Sequence, residues 1–148
     1  MILTVSIIVL MLGFLFLTVR TLGLEGRLQA DVQEISDLVR GTRFRAIQDR
    51  LPWRIQFTAE QIVSLPPKSE GEGNGSPAKV VRLDPAVELQ LRGSPDEPWQ
   101  VPEDQMWRFD PTGVVGPMHL RIAREGAYVE VEVDPLTGRF LETARFLR

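Results

Sequence analysis

The chain has 148 residues, with 17 basic and 20 acidic side chains, a formal net charge of −3, one histidine and no cysteine. This balance carries no basic excess for nucleic acid, and the absence of thiols excludes disulfides, thiolate metal sites and a cysteine nucleophile. Eleven prolines and twelve glycines point to many turns and hence to a sheet-rich body.

The first element is Met1–Val19, an apolar run without charge or proline that Arg20 ends. At the helical rise it spans roughly 28 Å, about the hydrocarbon thickness of a bilayer. Its polar side chains are Thr4, Ser6 and Thr18, which can bond to carbonyls of the preceding turn. The run reads as one membrane-inserted helix, with lipid around it. A buried core helix is a poor rival, because the remaining chain of about 130 residues is a single small domain that cannot wrap such a run on all sides. A cleaved signal sequence is the second rival. No basic region precedes the run and no small-x-small site follows it, which speaks against cleavage. Helices in an apolar medium associate through shape and small residues, so Ser6 and Gly13 are the candidate assembly positions.

From Leu24 the pattern becomes amphipathic: Leu24, Leu28, Val32, Ile35, Val39, Thr42 and Ala46 follow one another at intervals of three and four. This is one helix stripe, and Leu28, Val32, Ile35 and Val39 are its candidate helix–sheet packing residues. Glu25, Asp31, Glu34 and Asp37 lie early, while Arg40, Arg43, Arg45 and Arg50 lie late, an order that suits the helix macrodipole. The N-terminal third is one long helix or two in line, and Gly23 and Gly26 mark a soft point where it can bend or melt, since each costs about 1 kcal/mol relative to alanine. Leu51-Pro52 closes the pattern, because a residue before proline avoids the α region. The expected organisation is a transmembrane helix at 1–19, its amphipathic continuation at 20–51, and an antiparallel β head domain at 52–148 with a flexible loop at 66–78.

In the head, Trp53–Phe57 alternates apolar and polar side chains as a half-buried strand does, and Gln61–Leu65 is a plausible return strand. Pro66–Ala78 has no apolar side chain larger than alanine and reads as a flexible loop. It lacks the lysine-serine ending and strand-to-helix setting of a phosphate loop. Val80–Leu83, Val87–Leu91, Met106–Phe109, Met118–Ala123, Tyr128–Val133 and Arg139–Glu142 are further strands. Ser94–Glu103 holds three prolines and reads as an irregular loop. Asp110-Pro-Thr-Gly113 and Asp134-Pro-Leu-Thr-Gly138 place proline early and glycine late, as turns needing a positive φ do, and Glu125-Gly126 makes a tight turn. Valines inward and glutamates outward in Tyr128–Val133 indicate an antiparallel sheet with one packed and one wet face. The Leu24–Ala46 stripe is the obvious cover. The fold class is therefore α+β.

Candidate chemistry is sparse. His119 stands alone in a strand, without partners at a metal-ligand or catalytic spacing. Asp110 and Asp134 suit hydrogen bonds within their turns, and a calcium site there would need other oxygens to converge. Ser64, Ser76 and Ser94 lack a nucleophile elbow and a base. Trp53 and Trp107 read as core or sheet cover, and Trp99 as sheet cover or a partner contact from its loop. Arg43, Arg45 and Arg50 read as solvated charges at the helix end or as a subunit contact. No catalytic residue, metal or cofactor is expected.

Two stretches carry a family resemblance. Leu38–Phe57 has a helix end containing Arg45-Ala-Ile47, a short gap and then a strand. Trp107-Arg-Phe-Asp-Pro-Thr-Gly113 is followed by Leu120-Arg-Ile122 and by Val131–Phe140, which closes on Thr137-Gly-Arg139. With the N-terminal helix, this order resembles type IV pilin-like proteins, in particular the H-type minor pseudopilin of type II secretion and FimT-like pilins. The resemblance implies a non-enzymatic filament subunit in the bacterial inner membrane, single-pass, with its C-terminal domain in the periplasm. It implies other pilin-like or pseudopilin subunits as partners. The sequence departs from the family at its start: no leader glycine precedes the apolar run, and no acid occurs before Glu25. Counted from Met1 or Ile2, the fifth place is Val5 or Ser6, where the family has glutamate. The expectation is a member without the usual prepilin cleavage motif, or a start placed too far downstream. The alternative is a single-pass anchored envelope binding or accessory domain with no filament role.

Overall fold

A computed structural model describes the backbone of residues 2–67 and 77–147, with side chains described for all of these except 2–5, 12 and 14–22. Among the described residues, helix α1 (Ile2–Asp49) precedes strands β1 (Trp53–Phe57), β2 (Gln61–Leu65), β3 (Lys79–Arg82), β4 (Val87–Arg92), β5 (Gln105–Phe109), β6 (His119–Arg124), β7 (Ala127–Val133) and β8 (Phe140–Phe146). The fold is α+β, one long N-terminal helix against an antiparallel head. Most of the Pro66–Ala78 stretch lies outside the described residues.

Helix α1 is 48 residues long and passes through Gly23 and Gly26 without a break. Its head-proximal part is held by packing: Leu28, Val32, Ile35, Val39 and Ala46 are all buried, and Leu38 joins them. Each such aliphatic side chain contributes about 1.5–3 kcal/mol on burial. At the C-terminal end Arg50 adopts φ 55°, a left-handed cap that stops the helix before Pro52. Asp49 then accepts the Trp53 indole N–H at 2.9 Å, which ties the last helical turn to β1.

The strands form two four-stranded antiparallel sheets, ordered β3-β2-β1-β5 and β4-β6-β7-β8. Alternation in the sequence shows that strands exist but not how they divide. The division occurs at Asp84-Pro85. There Leu83 N–H still bonds to Glu60 O on the first sheet, at 2.8 Å, whereas Val87 already pairs with Arg124 on the second. Strand β5 returns to the first sheet, with Ile55 opposite Trp107. Glu125 and Gly126, at φ 50° and 85°, form the doubly left-handed turn that matches hairpin twist between β6 and β7.

Strand β8 is longer than Arg139–Glu142 because its pattern is irregular. The register slips between Glu130 and Val131 of its partner β7, and β8 is an edge strand whose side chains are mostly exposed. A bulge and an open edge erase the period-two signal. The core lies between α1 and the inner faces of both sheets. On the first sheet Trp107 meets Phe57 at a tilt, centroids 6.2 Å apart, and Phe109 edge to face at 4.7 Å, and Leu89, Leu120, Ile122, Val129 and Val131 fill the second.

Candidate functional site: the helix faces and their ties to the head

Of the charges at the end of α1, Arg43 and Arg45 are engaged with the head, whereas Arg50 is exposed. Arg43 donates from Nε to Gly113 O at 2.7 Å and from Nη2 to Leu136 O at 2.5 Å. One guanidinium thus holds both Asp-Pro turns against the helix, a geometry its planar fork suits and a lysine cannot copy. Gly113 and Gly138 have φ of 83° and 66°. A Cβ at Gly113 would stand 2.6 Å from Ile47 Cδ1, and one at Gly138 would stand 3.0 Å from Arg43 Cδ. Both glycines therefore serve the turn and the close approach of the helix. Asp110 caps its turn through the N–H and hydroxyl of Thr112, both at 3.2 Å. Asp134 does the same, and the Leu136 N–H, followed by the Thr137 hydroxyl, holds its carboxyl below the ordinary carboxylate value. Arg45 lies over the Trp53 ring at 5.5 Å.

Three further ties join helix to head. Thr42 donates to Leu38 O and contacts Ser64 Oγ, each at 2.8 Å, in a fully buried pair. Arg124, buried on β6, bonds to Asp31 of α1 at 3.0 Å and to Asp84 at 3.2 Å. Burial pulls the Arg124 pKa down, but the two carboxylates outweigh burial and leave it raised. The Ala86 N–H, with Arg124 beside it, holds Asp84 below its ordinary range. Arg145 of β8 reaches Glu25 at 3.0 Å and Gln29 at 3.1 Å. Its pKa is raised, chiefly by Glu142. Asp31 and Arg124 are 93 positions apart, and nothing in a local pattern pairs them.

The other candidates have structural surroundings. His119 is buried on β6, in register with Arg92 and Glu132 of the neighbouring strands. Ser64 is buried under α1, Ser94 lies in the loop after β4, and Ser76 falls outside the described residues. Trp99 covers the sheet, with the Arg92 and Arg121 guanidinium groups over its ring at 4.1 and 4.6 Å. Arg121 also covers Tyr128 and pairs with Glu130, and Tyr128 stacks on Phe146 at 5.7 Å. This ladder pins the proline-rich loop across the second sheet. Among the described residues no three His, Cys, Asp or Glu side chains are grouped to hold a metal.

The structure places the two proposed assembly residues away from the head. Ser6 and Gly13 are exposed, and a Cβ on Gly13 would meet nothing within 4 Å. Between them Ile7, Ile8, Val9, Leu10 and Met11 are 49–75% exposed. Among the described residues no helix is long and apolar enough to cross a membrane. Most side chains of Met1–Val19 lie outside those described.

A single long helix tied along its head-proximal half to an antiparallel β head is the type IV pilin-like fold. The chain superposes on the crystal structure of the type IV minor pilin FimU of Pseudomonas aeruginosa strain PAO1 with a TM-score of 0.59. The match covers 81% of this chain and 90% of that one at 11% sequence identity, so the likeness is one of fold. No protein-family model and no curated protein matches the sequence.

Proposed function

We propose that this chain is a non-enzymatic, pilin-like filament subunit. Its apolar helix inserts in the bacterial inner membrane, its head projects into the periplasm, and it assembles by packing that helix against those of other pilin-like subunits. The observation that carries this reading is the uncovered apolar segment Ile7–Met11, which extends beyond the head. Five consecutive large apolar side chains need lipid or other helices around them. The pilin-like fold supports the same reading. The stretches Leu38–Phe57 and Trp107–Phe140 favour the H-type pseudopilin or FimT-like branch, and so a type II secretion or type IV pilus system.

The test uses cysteines introduced along Met1–Val19, unambiguous in a chain with no native cysteine. Cross-links to helices of co-expressed pilin-like proteins, lost in Gly13→Leu, are expected, because bulk at a close-approach point separates packed helices. Gly13→Leu leaves the segment apolar and long enough to span. A merely anchored accessory domain is therefore indifferent to it. A folded, membrane-bound protein with no such cross-links would support that alternative instead.

A further inference from the structure

Strand β8 runs back along α1 toward the N-terminal part of the helix. Before it starts, the Leu136–Gly138 turn lies against Arg43. Near its end, Arg145 reaches Glu25 and Gln29 at 3.0 and 3.1 Å. The core begins at the same level, because Leu24 already packs against it. Leu24 stands five residues beyond Val19, the last residue of the apolar run, which is roughly 8 Å along the helix axis. A headgroup layer is about 5–8 Å thick, half the difference between the whole bilayer and its hydrocarbon core. When the run spans the hydrocarbon, the base of the head therefore stands at headgroup level.

Two large apolar side chains are uncovered at this base. Phe146 is 46% exposed and Leu147 44%, and they follow Arg145 directly in the chain. Phe146 is in register with Tyr128 on β7 and stacks on its ring at 5.7 Å, so the sheet fixes its position. A ring pair carrying one phenol hydroxyl has an apolar body and a polar tip, the pattern that suits a membrane–water boundary. The acids that Arg145 meets, Glu25 and Glu142, are both paired with it, so neither brings a lone carboxylate toward lipid. Arg27 is exposed and forms no ion pair among the described residues, which leaves its guanidinium for a lipid phosphate. Leu136 is also exposed, but it lies at the opposite end of the head. Arg43, which bonds to its carbonyl, stands roughly 36 Å beyond Val19 along the helix.

We propose that Phe146 and Leu147 form a foot by which the head rests on the surface of the bilayer that holds α1, with both side chains between phospholipid headgroups. The inference rests on the membrane-inserted reading of Met1–Val19. A single inserted helix leaves the head free to tilt, and an interfacial anchor to one side of it sets that tilt. The foot has to be withdrawn whenever the subunit leaves the bilayer, so it also opposes extraction.

The experiment uses the full chain in liposomes of phosphatidylethanolamine with phosphatidylglycerol. Leu10→Cys, Leu136→Cys and Leu147→Cys each carry one nitroxide spin label, in a chain with no native cysteine. Collisions are measured with oxygen, which concentrates in lipid, and with a nickel chelate, which stays in water. The Leu10 label should report lipid and the Leu136 label water. The Leu147 label should show several-fold less nickel collision than Leu136, with oxygen collision raised. Phe146→Ser should move the Leu147 label back toward the Leu136 values. A Leu147 label that matches Leu136, with Leu10 in lipid, would overturn the foot and leave membrane insertion standing. Loss of both oxygen and nickel collision at Leu147 would mean cover by protein and would overturn lipid as the occupant. A Leu10 label in water would remove the insertion reading and the foot with it.

Discussion

Arg43 shows how one side chain can set the relation between two distant parts of a chain. Its guanidinium reaches carbonyls 70 and 93 positions away, and the left-handed glycines let the turns come close enough to be reached. Arg43→Ala should lower stability by about 1.5–3 kcal/mol, the range for a hydrogen bond made by a charged group. Arg43→Lys should recover only part of it, since a point charge cannot serve both carbonyls. Thermal melts of the three proteins check this, and equal midpoints would mean that the bridge contributes nothing. Asp84 and Asp134 give a second residue-scale expectation. Both carboxyls are held below their ordinary value of 3.8. A carboxyl whose pKa is depressed by folding adds stability that is fully present above its unfolded value and lost as pH falls through the folded one. The melting temperature should therefore decline below about pH 4. Asp134→Asn should flatten that decline, and an unchanged acid limb would count against the turn bonds as its source.

The amphipathic half of α1 is the element on which the head depends. Truncation to begin at Leu24 should leave a folded, soluble chain, because the core and the ties through Glu25, Asp31, Thr42 and Arg43 all begin at or after that point. Within it Ile35 is fully buried. Ile35→Asp should cost roughly 4 kcal/mol or more, by placing an unpaired charge in the core. Ile35→Val should cost only about 1 kcal/mol. Denaturant titration of the truncated chain separates the two, and a tolerated Ile35→Asp would show that this stripe does not cover the sheets. The helix glycines follow another rule. Gly13, Gly23, Gly26 and Gly41 meet nothing within 4 Å of a built Cβ, so their replacement by alanine removes no contact inside the chain. Alanine should raise head stability slightly at Gly41, where helix propensity alone acts.

Across the whole molecule the two kinds of surface are segregated. The head closes its core with both sheets and α1, while the N-terminal segment leaves large apolar side chains uncovered. If that segment inserts in lipid, the full chain should stay with membranes through carbonate extraction. The form truncated at Leu24 should be released. Recovery of full-length protein in the soluble fraction would contradict insertion, and an N-terminally trimmed soluble form would favour the signal-sequence reading.

Local pattern alone determined a helical N-terminal third, the antiparallel strands and the turns, while the structure showed the helix to be unbroken. Period 3.6 in Leu24–Ala46, period two in Tyr128–Val133 and the Asp-Pro…Gly spacing are each properties of neighbours in the chain. Together with the order of the elements they were enough for an α+β, pilin-like plan. Tertiary structure decided what depends on distant partners. Asp31 reads as one more solvated acid until β6 brings Arg124 beneath it. Arg43 reads as a helix-end charge until two turns arrive with their carbonyls exposed. Trp99 reads as either sheet cover or a partner contact until Arg92 and Arg121 are seen over its ring. The division into two sheets belongs to the same class, because alternation tells a strand which face is buried but not which strand it meets. Hydrophobic periodicity is written in adjacent residues, whereas register and ion pairing are settled only when the chain is packed.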